Sequence, residues 1–194
     1  FEHIENVIGS NNDDVLIGDA LDNVINGEAG DDLIYGGDGN DSLFGAGGND
    51  RLYGQAGNDL FKGFSGQELF DGGEGIDAVT YIHPFNTIGQ KTGVVVNLAT
   101  GKGQGGAAQG DIYESIESVQ GTTFKDILIG DDSDNYLNGD DGNDMLFGGA
   151  GDDELHGGSG GGYYEGGSGK DQFFIKVEAG TLHVIEDFNP EEDM

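Results

Sequence analysis

The sequence predicts an all-β fold: a solenoid (β-roll) of short parallel strands, two nine-residue repeats to a coil, in two stacked blocks. Three observations lead there. Glycine recurs at every ninth position from Gly9 to Gly72, and again from Gly121 to Gly166. The eighth position of each unit is large and apolar, as in Leu16, Ile25, Ile34, Leu43, Leu52, Phe61, Phe70 and Val79, then Leu128, Leu137, Leu146, Leu155, Tyr164 and Phe173. The sixth position is acidic or an amide in all units but one, where Gly162 stands.

Taken in order, the chain begins with a lead-in, Ile4-Glu5-Asn6-Val7, whose counterpart Ile116-Glu117-Ser118-Val119 precedes the second block. The offset from Ile4 to Ile116 is not a multiple of nine, so each block is a separate unit with its own lead-in. The expected division is 1–80 for the first block, 81–120 for a linking segment, 121–174 for the second block and 175–194 for a capping strand. Within each unit, six residues rich in Gly, Asn and Asp favour turn and left-handed conformations. Three residues around the large apolar side chain make a short strand. Two units close a coil, and stacked coils place parallel strands about 4.8 Å apart with the eighth-position side chains inward. Residues 81–120 break the period. Val94-Val95-Val96-Asn97-Leu98 is a strand candidate, and the glycine-rich run Gly101–Gly110 is expected to continue or cap the first stack and seed the second. The chain starts at Phe1 and stops among acidic residues, which reads as a fragment of something larger.

Composition narrows the function. With 38 acidic and 7 basic residues the formal charge is −31, which repels nucleic acid and anionic lipid. No apolar run is long enough to span a membrane. The absence of cysteine removes disulfides, thiolate metal sites and cysteine catalysis. The acidic excess points to cations. Coils stack the sixth-position carboxylates, so Asp32 neighbours Asp50, Asp41 neighbours Asp59 and Asp153 neighbours Asp171. Such carboxylates oppose the stack unless something positive lies between them. Calcium, which takes six to eight oxygens from carboxylates and carbonyls, suits glycine turns; magnesium demands a tighter octahedron, and zinc would want more than four scattered histidines. Gly166-Gly167-Ser168-Gly169-Lys170-Asp171 lacks the first glycine and the hydroxyl of a phosphate loop, and Gly103-Gln104-Gly105 opens no βαβ unit. No nucleophile elbow, zinc-protease or EF-hand spacing occurs, so the expectation is a chain without its own catalytic site.

These units resemble the RTX, or hemolysin-type, calcium-binding repeat, G-G-x-G-x-D-x-U-x with U large and apolar, over residues 9–80 and 121–174. The best copies are Gly36-Gly37-Asp38-Gly39-Asn40-Asp41-Ser42-Leu43-Phe44 and Gly148-Gly149-Ala150-Gly151-Asp152-Asp153-Glu154-Leu155-His156. The resemblance implies a parallel β-roll with one calcium between turns a coil apart. Each ion would be held by the second and fourth carbonyls and sixth carboxylate of one turn, with the first and third carbonyls and sixth carboxylate of the next. Carried over residue by residue, Gly37, Gly39 and Asp41 would meet Gly54, Ala56 and Asp59. Glu28, Gly30 and Asp32 would meet Gly45, Gly47 and Asp50, and Gly149, Gly151 and Asp153 would meet Gly166, Ser168 and Asp171. The same pattern adds Asp14, Gly36, Asp38, Gly57, Gly72, Glu74 and Asp77 in the first block. In the second it adds Asp126, Gly139, Asp140, Asp141, Gly142, Asp144, Gly148 and Ala150.

Eight turns and six turns leave at most ten such gaps, and ten ions would take the charge from −31 to −11. Departures weaken some: Gly162 removes a carboxylate beside Asp144, Glu68 is a longer arm beside Asp50, and Leu21, Phe124, Asn23 and Asn135 leave the first coil of each block poorer. The tail through Val184-Ile185-Glu186-Asp187-Phe188 resembles the strand that follows such rolls, with Asp187 a candidate ligand for a terminal ion. The resemblance further implies a secreted or cell-surface module, exported unfolded by a type I secretion machinery and folded by calcium outside. The parent protein could be a toxin, protease, lipase, epimerase or adhesin. An alternative is a polysaccharide-binding module, like the repeat modules of alginate epimerases, using Lys91, Lys102 and His83 or the aromatics Tyr35, Phe44, Tyr53, Tyr163 and Tyr164. A spacer or adhesion segment of a surface protein is the third.

Overall fold

Short strands alternating with glycine turns wind into two facing sheets in the structure, a computed structural model describing residues 5–82, 92–191 and 193. Among those residues there is no α-helix, only a 3-10 turn at Gly106–Ala108. One sheet holds nine strands: β1 (Asn6–Ile8), β3 (Val24–Asn26), β5 (Ser42–Phe44), β7 (Leu60–Lys62), β9 (Ala78–Thr80), β13 (Ser118–Gln120), β15 (Tyr136–Asn138), β17 (Glu154–Gly158) and β19 (Gln172–Ile175). The facing sheet holds eleven. In spatial order these are β2 (Val15–Ile17), β4 (Leu33–Asp38), β6 (Arg51–Ala56), β8 (Leu69–Glu74), β12 (Ile112–Glu114), β11 (Lys102–Gln104), β10 (Val95–Asn97), β14 (Ile127–Ile129), β16 (Asp144–Ala150), β18 (Gly162–Ser168) and β20 (His183–Ile185). Neighbours within the blocks pair in parallel, two repeats apart, so that eighth-position residues meet: Ile34 pairs with Leu52, and Leu52 with Phe70. The predicted parallel solenoid of two-repeat coils is the fold.

Most strands are only three residues long, with the central side chain the one turned to the core. Ile25, Ile34, Leu43, Leu52, Phe61, Phe70 and Val79 are fully buried, as are Leu128, Leu137, Leu146, Leu155 and Tyr164. They form one file from each sheet, with Phe61 and Phe70 packed ring to ring at 5.7 Å. At about 25 cal/mol per Å² such a thin interior contributes little per ordered residue, and glycine turns raise the entropy to be overcome. The turns must therefore contribute to stability.

Residues 95–120 lie within the two sheets. β9 pairs directly with β13, whereas β12, β11 and β10 stand between β8 and β14. The β10–β11 and β11–β12 pairings are antiparallel. Val94 and Val96 are buried, so this segment has its own apolar anchor. The predicted strand at Val94–Leu98 is found as β10, and the glycine-rich run supplies β11 and the 3-10 turn. The two additional strands lengthen the second sheet by about 10 Å relative to the first. His83 and Lys91 of the predicted polysaccharide patch lie outside the described residues.

Candidate metal centre

The sixth-position carboxylates form a buried ladder. Asp32, Asp41, Asp50, Asp59, Asp77, Asp144, Asp153 and Asp171 are all at most 2 % exposed. One oxygen of each accepts a hydrogen bond from the main-chain N–H of the sixth residue a coil earlier. Asp41 N–H donates to Asp59 Oδ1 at 2.7 Å, Asp59 N–H to Asp77 Oδ1 at 2.7 Å, and Asp153 N–H to Asp171 Oδ1 at 3.0 Å. This bond fixes each carboxylate in place and turns its other oxygen into the gap between coils. That second oxygen is orphaned: Oδ2 of Asp32, Asp41, Asp50, Asp59, Asp77, Asp144 and Asp153 is buried without a hydrogen-bond partner. A buried carboxylate oxygen with no donor is costly, so a repeated row of them requires a counter-ion or a proton.

Main-chain carbonyls face the same gaps. A methyl group built on Gly36 would fall 2.2 Å from Asp41 Oδ2 and 2.8 Å from the Gly54 carbonyl oxygen, so those two oxygens lie within 5.0 Å of each other, the two distances added. The equivalent distances at Gly148 are 2.2 Å to Asp153 Oδ2 and 2.4 Å to the Gly166 carbonyl oxygen. Glycine is required at these first positions because any side chain would occupy the gap. At the fourth position the demand is conformational as well: Gly57 has φ +132° and its added methyl would fall 1.8 Å from the Gly39 carbonyl oxygen. Among the described residues no three acidic or histidine side chains converge on one point. Each gap combines carboxylates with carbonyls, an all-oxygen donor set suited to a hard cation and poor for zinc. The residues present fit calcium.

Electrostatics agree. Burial, opposed by the ladder hydrogen bond and reinforced by neighbouring aspartates, pushes Asp41, Asp50 and Asp77 up to about 6 and Asp153 and Asp144 up to about 7. Asp32, Asp59 and Asp171 are raised for the same leading reason. Without a cation, the fold holds these groups against ionising.

The structure brings together Asp41 and Asp59, Asp32 and Asp50, and Asp153 and Asp171, each pair in register through that ladder bond. Several of the carbonyl candidates are partly engaged. The carbonyls of Glu28, Gly47, Ser168 and Glu74 already accept main-chain bonds from Gly47, Gly30, Gly151 and Gly57, leaving each a second lone pair. Asp14 and Asp126 differ from the rest. Asp14 Oδ2 accepts from the Ser10 amide and hydroxyl, and both Asp126 oxygens accept from Thr122. At Asn23 and Asn135 the amide oxygen instead caps the Asp19 and Asp131 N–H groups. The first turns of both blocks are thus closed by the protein itself.

Some residues of the site had no signal in the period. Asp111 and Glu117 take the sixth position of the irregular coil, accepting from Glu68 and Asp77 N–H respectively, because the segment from 81 onward displaces the count to 43 and 40 residues. Asp193 accepts from Asp171 N–H at 3.1 Å, 22 residues on. Asp187 accepts from the N–H groups of Gly166 at 2.9 Å and Gly167 at 2.6 Å, closing the last turn. Where Gly162 lacks a carboxylate, the Tyr164 hydroxyl fills the place, 2.1 Å from where a Gly162 methyl would be. A second ladder runs through the fifth position: Asp22 Oδ1 accepts from Asn40 N–H, and Asn40 Oδ1 from Asn58 N–H, each at 2.8 Å. Its column of Asp and Asn is visible in the sequence, though its direction, opposite to that of the first ladder, is not.

A family model for the RTX calcium-binding nonapeptide repeat (4 copies) matches residues 8–43, 44–79, 114–146, 129–164 and 138–173. No curated protein matches the chain.

Proposed function

The chain belongs to the RTX calcium-binding nonapeptide repeat family, and from that premise we propose that it is a secreted module whose folding is driven by calcium outside the cell. One observation carries this: seven buried aspartate oxygens face the inter-coil gaps with no donor. Bound there, calcium supplies positive charge that offsets paired buried carboxylates. The holding residues in the best-formed gaps are Asp41 with Asp59 and Gly54, Asp32 with Asp50, and Asp153 with Asp171 and Gly166. Until then the chain's charge of −31 favours an expanded state and its core is too thin to close it. Each turn serves the coil before and the coil after, so ordering one turn favours the next and binding is cooperative.

The role is structural rather than catalytic, supporting the folding, stability and type I export of a larger protein. A second reading, a polysaccharide-binding surface, is favoured by a row on the outer face of the nine-stranded sheet. There Tyr136 and His156 lie at 4.8 Å, and His156 and Phe174 stack at 4.4 Å. Retention of the calcium-loaded module on anionic polysaccharide, lost with salt, would establish it.

Far-ultraviolet circular dichroism from chelator to millimolar calcium, with magnesium as control, tests the main proposal. A sharp coil-to-β transition with calcium alone is expected. A β-rich spectrum in chelator at neutral pH, or an equal response to magnesium, would overturn the calcium switch.

A further inference from the structure

Asparagine stands directly before glycine at two places only, Asn26–Gly27 and Asn138–Gly139. The two pairs occupy the same place in their blocks, where the second unit meets the third, and 138 − 26 = 112 is the offset that relates the two lead-ins. An asparagine so placed carries its own reaction. The glycine nitrogen, once a base takes its proton, attacks the side-chain Cγ; the Cγ–Nδ2 bond breaks and ammonia leaves. The resulting succinimide takes up one water, and opening of either ring C–N bond gives aspartate or iso-aspartate. Glycine, without a Cβ, hinders the attack least and lets the chain bend into it.

The closed coil withholds both reactants. Gly27 N–H donates to the Phe44 carbonyl at 2.8 Å, and Gly139 N–H to the His156 carbonyl at 2.9 Å, each bond tying one coil to the next. Asn26 Oδ1 accepts from the Glu28 N–H at 3.2 Å, while its Nδ2 donates to Glu28 Oε1 at 2.6 Å. Asn138 Oδ1 accepts from the Asp140 N–H at 3.0 Å. Both glycines are buried. For the reaction to start, each side-chain amide must leave these bonds and each glycine must leave its sheet. In the open chain none of these restraints exists.

The products do not fit the coil. Iso-aspartate adds one carbon to the main chain just ahead of the glycine. A methyl on Gly27 would fall 2.1 Å from Asp32 Oδ2, and one on Gly139 2.5 Å from Asp144 Oδ2, so neither turn has room for a displaced main chain. The aspartate product at position 26 would set an oxygen where a donor now faces Glu28, replacing the 2.6 Å bond with a like-charge contact.

We propose that Asn26 and Asn138 are deamidation sites gated by folding. The stacked coil shields them and the open chain exposes each to its own backbone, so time spent without calcium accumulates as covalent change. This rests on the calcium reading above.

The test follows both sites by peptide mass mapping while the whole chain is held in mildly alkaline buffer, with chelator or with millimolar calcium. Conversion at Asn26 and Asn138 should run at least about tenfold faster in chelator, since reaction in calcium must wait for the coil to open. Calcium returned at intervals should refold, by circular dichroism, a fraction that falls in step with conversion. Asn26→Thr with Asn138→Thr should keep refolding over the same period. Thr80, also at a ninth position, shows that a hydroxyl there can accept the N–H two residues on. Equal conversion in both buffers, with the calcium sample folded, would overturn the proposal. So would a double variant that loses refolding as fast as the unmodified chain, the damage then lying in isomerisation at Asp38–Gly39, Asp71–Gly72 or Asp141–Gly142. The mapping needs no variant, so it decides whether or not the double variant folds. A chain equally folded in both buffers refutes the calcium reading instead, and urea then takes the place of chelator in the same comparison.

Discussion

Replacing Asp153 by Asn should change stability in opposite directions with and without calcium. Asp153 is 1 % exposed; its Oδ1 accepts from Asn135 N–H at 2.8 Å and its Oδ2 is unpartnered. Burial holds this carboxyl at about 7 instead of 3.8. That difference corresponds to about 4 kcal/mol against the charged form, and solvent screening cuts it to ~2 kcal/mol. Asn removes this penalty and keeps the Oδ1 acceptor, losing ~1 kcal/mol of charge-assisted hydrogen bonding. Its amide can instead donate toward the Gly166 carbonyl oxygen, which lies within 4.6 Å of Asp153 Oδ2, the two distances from a Gly148 methyl added. In chelator at pH 8 the net expectation is a gain of ~1 kcal/mol. In saturating calcium the variant loses a ligand from the Asp171 gap, costing about 3 kcal/mol if that site is normally filled at 100 times its dissociation constant. The assay is unfolding followed by circular dichroism in both conditions, with trimethylamine oxide added to give a folded baseline in chelator. Shifts of the same sign in both would refute the argument that these carboxylates are destabilising until neutralised.

Three further outcomes follow from other features. In chelator, lowering the pH from 8 to 5 should increase β structure, because Asp41, Asp50, Asp77, Asp144 and Asp153 have folded values of about 6 to 7. Raised carboxyls favour the fold fully below their unfolded value near 4 and lose that contribution as the pH climbs through 6 to 7, so a pH-independent signal would contradict it. Ala46 and Gln55 sit at the second turn position with φ of 70° and 81°, so Ala46→Gly and Gln55→Gly should each stabilise the calcium form by about 1 kcal/mol in urea unfolding. Asn40→Ala removes one acceptor of the fifth-position ladder and leaves the Asn58 N–H without its partner, so it should cost ~1 kcal/mol while leaving the number of bound ions unchanged.

Much of this arrangement was legible in the chain itself, and the reason lies in its period. Nine residues hold one turn and one strand, so the inward direction of Leu43 and the stacking of Asp41 on Asp59 follow from counting alone. Where counting fails, so does the reading. Asp111 and Asp193 continue the carboxylate ladder from positions no fixed period reaches, because a closed gap selects an acceptor by its place in space. Tyr164 belongs to the apolar column and is fully buried there, yet its hydroxyl reaches the position that Gly162 vacates, since a phenol is long enough to cross the core layer.

The repeat by itself determined the parallel coils, the thin core and the rows of acidic residues with no basic partners in phase. Only the tertiary structure decided which oxygen of each aspartate is held by a main-chain N–H and which is left facing the gap. It also decided that the first turns are closed by Ser10 and Thr122, and that the segment between the blocks enters both sheets as strands and sets Asp111 against Glu68. Local sequence specifies turns and strands through backbone preference. The partner of a buried polar atom is specified by the coil that stacks upon it, and that is known only when the chain has closed.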